Sequence, residues 1–482
     1  YSFCDSDKDQ IGDLQGVISQ LDYIADLGFN GIWLMPIMPS PSYHKYDVTD
    51  YFSIDPVYGS MEDFESLVEE CDKRGIKLII DLVLNHTSAE HPWFAAACDY
   101  LEQLGDGEEP NAQDCPYYEY YNFVKGDPGL ATWYQAGSSG YYYEGAFSSQ
   151  MPDVNFESAA LKKEFEDIMR FWLDKGAGGF RLDAVKHFYD GMTSKNVEVL
   201  SWVNDYVKSI DPDAYMVGEC WDGMLTYAQY YTSGIDSFFD FEFADSAGII
   251  TRTLTYSGET NNAQAYAKAL VRVQNAIREY REDAIDAPFY VNHDLSRAAG
   301  FMRYDARKIK MSAALNILMS GSAFVYYGEE IGMTGSGRDE NKRAPMYWSS
   351  AEGAMTKGPD DMEPQENQFP SLEEQKKDNS SIYNFYKDTI LLRNQNPEIA
   401  RGTVARLEEV TDGDIAAISK TYDGTTIYLL YNLSETEEKQ VVLPMEQYGY
   451  QEIAGYLSAD GGEVTLQDGT ITMPSYSVVV LR

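Results

Sequence analysis

The sequence is short of cysteine, histidine and positive charge. Its five cysteines contain no CxxC spacing, which argues against zinc or dithiol redox chemistry, and an odd count cannot pair completely. Cys98 and Cys115 flank one loop-like stretch and are close enough to join, whereas Cys4, Cys71 and Cys220 are isolated. No uncharged apolar run approaches the about 18 residues of a membrane-spanning helix, and no signal-peptide pattern is visible. Lys and Arg number 37 against 78 Asp and Glu, a net charge of −41. A surface of that sign repels phosphate backbones and anionic lipid, which argues against nucleic acid or anionic lipid as a partner. It suits a neutral ligand and a soluble monomer. What the chain has in quantity is aromatic side chains, 38 Tyr and 7 Trp among 482 residues. Most such rings pack cores; in a ligand site their flat faces suit the C–H faces of sugar rings.

Helical and strand-like segments alternate. Helical spacing over 16–29 precedes the apolar run 31–36; a Ser start and Gly stop bound a helix over 60–75, followed by the run 76–86. From 87 to 152 the periodicity fails in a stretch rich in Gly, Tyr, Asp and Ser, too long for a plain loop, which reads as an inserted subdomain. Alternation resumes with helix 158–174 and strand 178–183, helix 196–209 and strand 214–219, then strand-like runs at 235–241, 285–293 and 321–328 with helices near 262–282 and 306–319. Near-continuous apolar strands alternating with helices imply a parallel sheet covered on both faces. Seven strands and the loop end of an eighth at Tyr1–Cys4 point to a (β/α)₈ barrel of the TIM type. Beyond about 402 the helices stop. Residues 414–433 form two runs around an Asp-Gly turn, and the remainder reads as a small antiparallel β domain.

In such barrels the reacting groups stand at the C-terminal ends of strands. The polar residues there are Asp81, Asn85 and His86; Arg181 and Asp183; Glu219; and His293 and Asp294. A lone Asp at a strand end is usually a helix cap. Three carboxylates on separate strands, two of them with a cationic or imidazole neighbour, are better explained as a site. Four of the five histidines (His44, His86, His187 and His293) fall in these or similar stretches, yet none forms an HxH or HExxH pattern, so a metal explanation for them is weak. Paired carboxylates, a neutral ligand and many aromatics point to glycoside hydrolysis. Arg181, two residues before Asp183, would keep that carboxylate ionised as a nucleophile requires. Glu219 in the apolar run MVGEC would be pushed up in pKa, as a general acid requires.

DLVLNH (81–86), GFRLDAVKH (179–187), MVGEC (216–220) and VNHD (291–294) stand in the order of the four main conserved regions of the α-amylase family, glycoside hydrolase family 13. GIWLMPIMPS (31–40), MPDVN (151–155) and GSAFVYYGEEIGM (321–333) resemble three further regions. The resemblance implies Asp183 as nucleophile, Glu219 as general acid/base and Asp294 as the residue that holds the 2- and 3-hydroxyls of the −1 sugar. It implies Arg181, His86 and His293 in the −1 subsite, Tyr46 beneath that sugar with His44 beside it, and Lys186 and His187 near a +2 sugar. It also implies a barrel over 1–86 and 153–402, an insertion over 87–152 after the third strand and a C-terminal antiparallel β-sandwich over 403–482. Most of the family's first barrel strand lies outside this numbering.

The opening DSDKDQIGD sets Asp5, Asp7, Asp9 and Asp13 at alternating positions, with the Ile11 carbonyl among them. Such hard oxygens suit Ca²⁺, although an acidic run is more often a solvated loop. Gln10 and Gly16 at its sixth and twelfth positions exclude an EF-hand. The run resembles a calcium loop of many family members, with Lys8 and Gln10 where that loop often has glycine. A second Ca²⁺ beside Asn85 is a further implication. The Lys186–His187 pair resembles endo-acting α-amylases, and MPDVN resembles the neopullulanase group. The expected activity is therefore retaining endo-hydrolysis of α-1,4-glucans, starch and malto-oligosaccharides, outside the cell. Neopullulanase, cyclomaltodextrinase or oligo-1,6-glucosidase action is the alternative, and a non-catalytic glucan-binding relative is a third reading against which the three intact carboxylates speak.

Overall fold

A computed structural model describes residues 1–105, 107–256, 262–351 and 353–482. Six parallel strands, Gly31–Leu34, Lys77–Leu82, Gly179–Leu182, Tyr215–Gly218, Ser237–Asp240 and Ala287–Pro288, pair in chain order in one sheet. All but the first are almost wholly buried, as expected of apolar strands with helices on both faces. The expected run 321–328 does not form a regular ladder. It lies along the sixth strand through Ser322 N–H to the Asp286 carbonyl and Phe324 N–H to the Pro288 carbonyl, both 2.8 Å. Between it and the half-exposed strand Gly31–Leu34, a cavity of about 1370 Å³ opens beside Tyr1–Phe3. The fold is thus of the (β/α)₈ type.

The covering helices begin on the signals the sequence carries. Ser60 and Asp63 form a capping box at Met61–Asp72, and Ser158 accepts the Leu161 N–H at Ala159–Asp174. The expected helix over 16–29 is two, Leu14–Ser19 and Leu21–Leu27, because Gln20 leaves helical geometry at φ −108° and ψ 6°. Residues 87–152 are not irregular throughout: they hold the helix Pro92–Gln103 and a three-stranded antiparallel sheet of Phe123–Lys125, Tyr141–Glu144 and Trp133–Gln135. Cys98 and Cys115 are both free thiols.

From Thr403 onward the chain forms a five-stranded and a three-stranded antiparallel sheet. The Asp-Gly turn closes the hairpin of Ile415–Tyr422 and Thr425–Asn432 with both turn residues at positive φ, 48° and 77°. Lys420 of that hairpin is fully buried. Its Nζ donates to the Leu318 carbonyl, at the end of the helix Ala306–Ile317, and to the Ile399 carbonyl of the helix Pro397–Arg401, at 2.8 and 2.7 Å. A buried amine on those carbonyls couples the antiparallel sheets to the barrel.

Candidate active site

The site grows from the register of the second and third strands. Asp81 and Arg181 are direct partners across that pair. Gly179 allows the approach of the fourth strand: at φ 139° it is in glycine's territory, and a Cβ there would lie 1.9 Å from the Tyr215 carbonyl oxygen. Arg181, 1% exposed, distributes one guanidinium over three carboxylates. Its Nη1 lies 3.0 and 3.1 Å from the two oxygens of Asp81 and 2.5 Å from Asp183 Oδ1; its Nη2 lies 3.0 Å from Glu219 Oε1. The guanidinium also lies over Trp33 and Tyr46, 5.0 and 5.7 Å from the ring centroids.

Asp183 follows the end of the third strand, and Ala184 then turns sharply at φ 49°, a strained value for a residue with a Cβ. That turn directs the Ala184 N–H to Glu219 Oε2 at 3.2 Å, so the two carboxylates are tied together through the backbone. Glu219 continues the fourth strand, its N–H bonded to the Leu182 carbonyl at 2.9 Å. Asp294 enters from beyond the sixth strand, where Asn292 Oδ1 accepts the Asp294 and Leu295 N–H groups. Asp294 Oδ2 faces His293 Nε2 at 3.1 Å, and Oδ1 accepts from Arg343 Nη2 at 3.0 Å.

Burial governs the protonation of this group. It pushes the Asp81 carboxyl up to about 7, against the pull of Arg181. It pushes Glu219 up, again opposed by Arg181 and reinforced by Asp183 and Asp294. Arg181 draws Asp183 toward its ionised form through both charge and hydrogen bond, but burial outweighs it, and Asp183 too stands above its ordinary value. Asp294 is the exception. Burial raises it, but His293, Arg343 and Arg181 together hold it well below the usual carboxylate range. Burial lowers His293, against the pull of Asp294, and it lowers His86 to about 4, so the His86 ring is neutral at neutral pH.

The other expected residues surround this centre. Tyr46 hydrogen-bonds to Asp81 and His293, each at 2.9 Å, and its ring stacks on His293. His44 accepts the Tyr46 N–H at Nδ1, 3.1 Å, and meets Ser42 Oγ at 3.0 Å. His86 and His187 flank the half-exposed ring of Phe147 at 5.2 and 5.1 Å, and His187 Nδ1 lies 2.6 Å from Asp190. Lys186 Nζ donates to the Trp221 carbonyl at 2.6 Å, and the exposed Trp221 ring stacks on Phe241. Sequence reasoning missed three contributors. Asp81, noted as a strand-end group, has its place as the buried counter-ion of Arg181. Phe147 and Arg343 lie in segments with no strand or helix signal to place them.

The acidic loop lies apart from this centre. Carboxylate oxygens of Asp5, Asp7 and Asp13 converge within 4.8 Å, the one such group of three among the described residues. Asp9 stands outside it, with its Oδ1 on the Ile11 N–H at 2.7 Å. Lys8 and Gln10 both take φ 74°, the conformation glycine would adopt freely. The loop is already satisfied in part by its own amides: Asp5 accepts the Asp7, Lys8 and Gln10 N–H groups, and Asp13 accepts those of Ser6 and Gly16. Three convergent hard anions fit a Ca²⁺ ion. At the second suggested position, beside Asn85, the amide instead donates to Asp153 Oδ1 at 3.1 Å.

A parallel barrel with an arginine-centred carboxylate trio at its strand ends is the arrangement glycoside hydrolysis requires, and comparison with known proteins assigns the chain to the glycoside hydrolases that act on α-glucans. The sequence pattern of the alpha amylase catalytic domain matches residues 1–402. The chain therefore belongs to the α-amylase family, glycoside hydrolase family 13. It is 36% identical over 450 residues to "Alpha-amylase 3" of Dictyoglomus thermophilum, covering 90% of this chain and 83% of that one. It is 30% identical to a "Glucan 1,6-alpha-glucosidase" of Streptococcus pneumoniae, covering 92% and 90%. Among solved structures, Eubacterium rectale Amy13B matches with a TM-score of 0.95 at 45% identity, over all of this chain and 93% of that one.

Proposed function

We propose that the protein is a retaining, endo-acting α-1,4-glucan hydrolase that cleaves starch and malto-oligosaccharides through a covalent glycosyl-enzyme. The observation that carries this is the sharing of Arg181 among Asp183, Glu219 and Asp81, with Asp294 alongside. Asp183 Oδ1 is tied to the guanidinium, and the other oxygen, Oδ2, serves as the attacking oxygen. Glu219, pushed up by burial, donates its proton to the glycosidic oxygen as the C1–O bond breaks and the Asp183 ester forms. The resulting carboxylate then takes a proton from water, which attacks C1 and releases Asp183. Asp294, ionised throughout, accepts hydrogen bonds from hydroxyls of the −1 sugar, and Tyr46 supplies the platform beneath it. Lys186, His187, Phe147 and Trp221 line the approach on the far side of the bond.

The relatives divide between α-1,4 and α-1,6 activities, so linkage is the point to test. Products from amylose, pullulan and isomaltose decide it, with Asp183→Asn as control. Mixed malto-oligosaccharides from amylose, absent in the control, support the reading. Panose from pullulan moves it to a neopullulanase. Glucose from isomaltose alone overturns the α-1,4 assignment.

We further propose Ca²⁺ at Asp5, Asp7 and Asp13, with the Ile11 carbonyl available to it, as a stabilising rather than a reacting ion. Chelation then lowers the thermal midpoint, and added Ca²⁺ at about a hundred times its Kd restores about 2.7 kcal/mol. Asp5→Asn abolishes that response; an unchanged midpoint on chelation overturns the site. A polymeric substrate and an acidic surface support an extracellular, monomeric enzyme, which fractionation of the source cells and light scattering test.

A further inference from the structure

We propose that Arg297, Lys342 and Arg343 form a clamp that fixes the position of Asp294, and that all three are positioning residues for the reaction. The inference rests on the proposed function only in giving Asp294 a role at the sugar. The corner His293–Asp294 hangs on an Asn292 turn at the end of a strand only two residues long, so that strand alone does little to hold it. The grip comes from a segment some 50 residues further along. Arg343 Nε donates to the His293 carbonyl at 3.2 Å, Arg343 Nη2 to Asp294 Oδ1 at 3.0 Å and Lys342 Nζ to the Asp294 carbonyl at 2.8 Å. Backbone and side chain of the corner are therefore held by two consecutive cations.

Lys342, next to Arg343 in the chain, is in turn held through its carbonyl by Arg297, which touches no reacting group. Its Nε donates to the Lys342 carbonyl at 2.9 Å, its N–H to the Gly335 carbonyl at 2.8 Å and its Nη1 to the Tyr327 carbonyl. Its guanidinium lies against the rings of Tyr326 and Tyr327, at 4.2 and 4.6 Å. Arg297 is 1% exposed and forms no ion pair among the described residues. Burying a cation without an ion-pair partner costs several kcal/mol before its hydrogen bonds and ring contacts are counted. An apolar side chain would fill the space at less cost, but it could not tie three segments together at the back of the Asp294 corner. Gly335 completes the fit, because a Cβ there would lie 2.2 Å from the Asn341 carbonyl oxygen. A hydroxyl-binding carboxylate must sit within about 0.5 Å of its productive place, and this relay is what sets it.

The test is kcat, KM and the thermal midpoint of Arg343→Gln, Arg343→Lys, Lys342→Met, Arg297→Lys and the double variant R297K/R343Q, on whichever α-glucan the wild type cleaves. Arg343→Gln is expected to lower kcat by about 10²-fold, the effect of an ångström-scale misplacement, with KM little changed. Arg343→Lys recovers part of that loss, and Lys342→Met, which leaves the buried arginines in place, lowers kcat in the same direction. Arg297→Lys also lowers kcat, and the double variant is no slower than Arg343→Gln alone, because both act through one unit. Losses that multiply overturn the clamp, as does an Arg343→Gln variant that raises KM alone, or an Arg297→Lys variant that loses only stability. A crystal structure of R297K separates this from the substrate reading: an Asp294 carboxylate unmoved from its place beside His293 overturns the clamp whatever glucan is cleaved.

Discussion

Replacing Arg181 with Gln removes a buried cation from three carboxylates at once. Removing one partner of a buried ion pair costs about 3–5 kcal/mol, because the other charge is left desolvated. Here Asp81 stands at about 7 even with the arginine present, so without it the carboxylates retain protons to higher pH still. A folded state that holds protons the unfolded chain has released loses stability as pH rises, by about 1.4 kcal/mol per pH unit for each such proton. The loss in Arg181→Gln is therefore largest at pH 8 and smaller at pH 5, where the unfolded chain approaches the ordinary carboxyl value of 3.8 and the buried groups are protonated. Urea unfolding of wild type and variant at the two pH values measures this. A loss below about 1 kcal/mol, the size of an exposed pair, refutes the reasoning. So does the same loss at both pH values.

Glu219→Gln is expected to lower kcat on a malto-oligosaccharide by about 10²–10⁴-fold and to lose much less on an aryl glucoside whose leaving group needs no proton; equal losses on both would count against its role as the acid. Gly179→Ala forces a Cβ into the Tyr215 backbone, so the soluble yield and thermal midpoint fall, and a variant as stable as wild type contradicts the close strand approach. Lys420→Met strips the Leu318 and Ile399 carbonyls of their buried partner and costs about 1–3 kcal/mol by urea unfolding at neutral pH. Burial holds the Lys420 amine well below 10.5, so the folded chain binds fewer protons there and its stability gains from rising pH; the variant lacks that gain at mildly alkaline pH.

How much of this was legible in the sequence follows from what each residue depends on. Asp183, Glu219 and Asp294 stand at or just past strand ends, and strand–helix alternation alone carries them to one face of a barrel. The Asp-Gly turn at 423–424 is local backbone chemistry and appears where the dipeptide does. Asp81 as counter-ion depends on the register between two strands about 100 residues apart, which no local pattern encodes. Arg343 lies just past the four-residue helix Asp339–Lys342, too short to show a period, and reaches Asp294 only through the tertiary fold. The run 321–328 is apolar enough for a strand, but among the described residues only its Ser322 and Phe324 N–H groups bond to the neighbouring sixth-strand segment, at Asp286 and Pro288. Apolar content reports burial; a regular ladder needs partners as well.

The charges of the site explain why similar side chains can take unlike roles. Asp81, Asp183, Glu219 and Asp294 face two guanidinium groups, Arg181 and Arg343, so the fully ionised cluster carries an excess of negative charge in a buried place. Such a cluster relieves the excess by retaining a proton. Asp294 does not retain it, because His293 and Arg343 both address it directly. Asp183 has the shortest contact to Arg181, at 2.5 Å, which favours its ionised form over that of Glu219, whose contacts to Arg181 and Ala184 are 3.0 and 3.2 Å. Asp81 shares the same guanidinium and accepts from Tyr46 and Trp33 as well, donors that favour its anion. The proton is thereby directed to Glu219, whose contacts to its donors are both longer than the one Asp183 makes, and that is the group a glycosidic oxygen would need to find protonated.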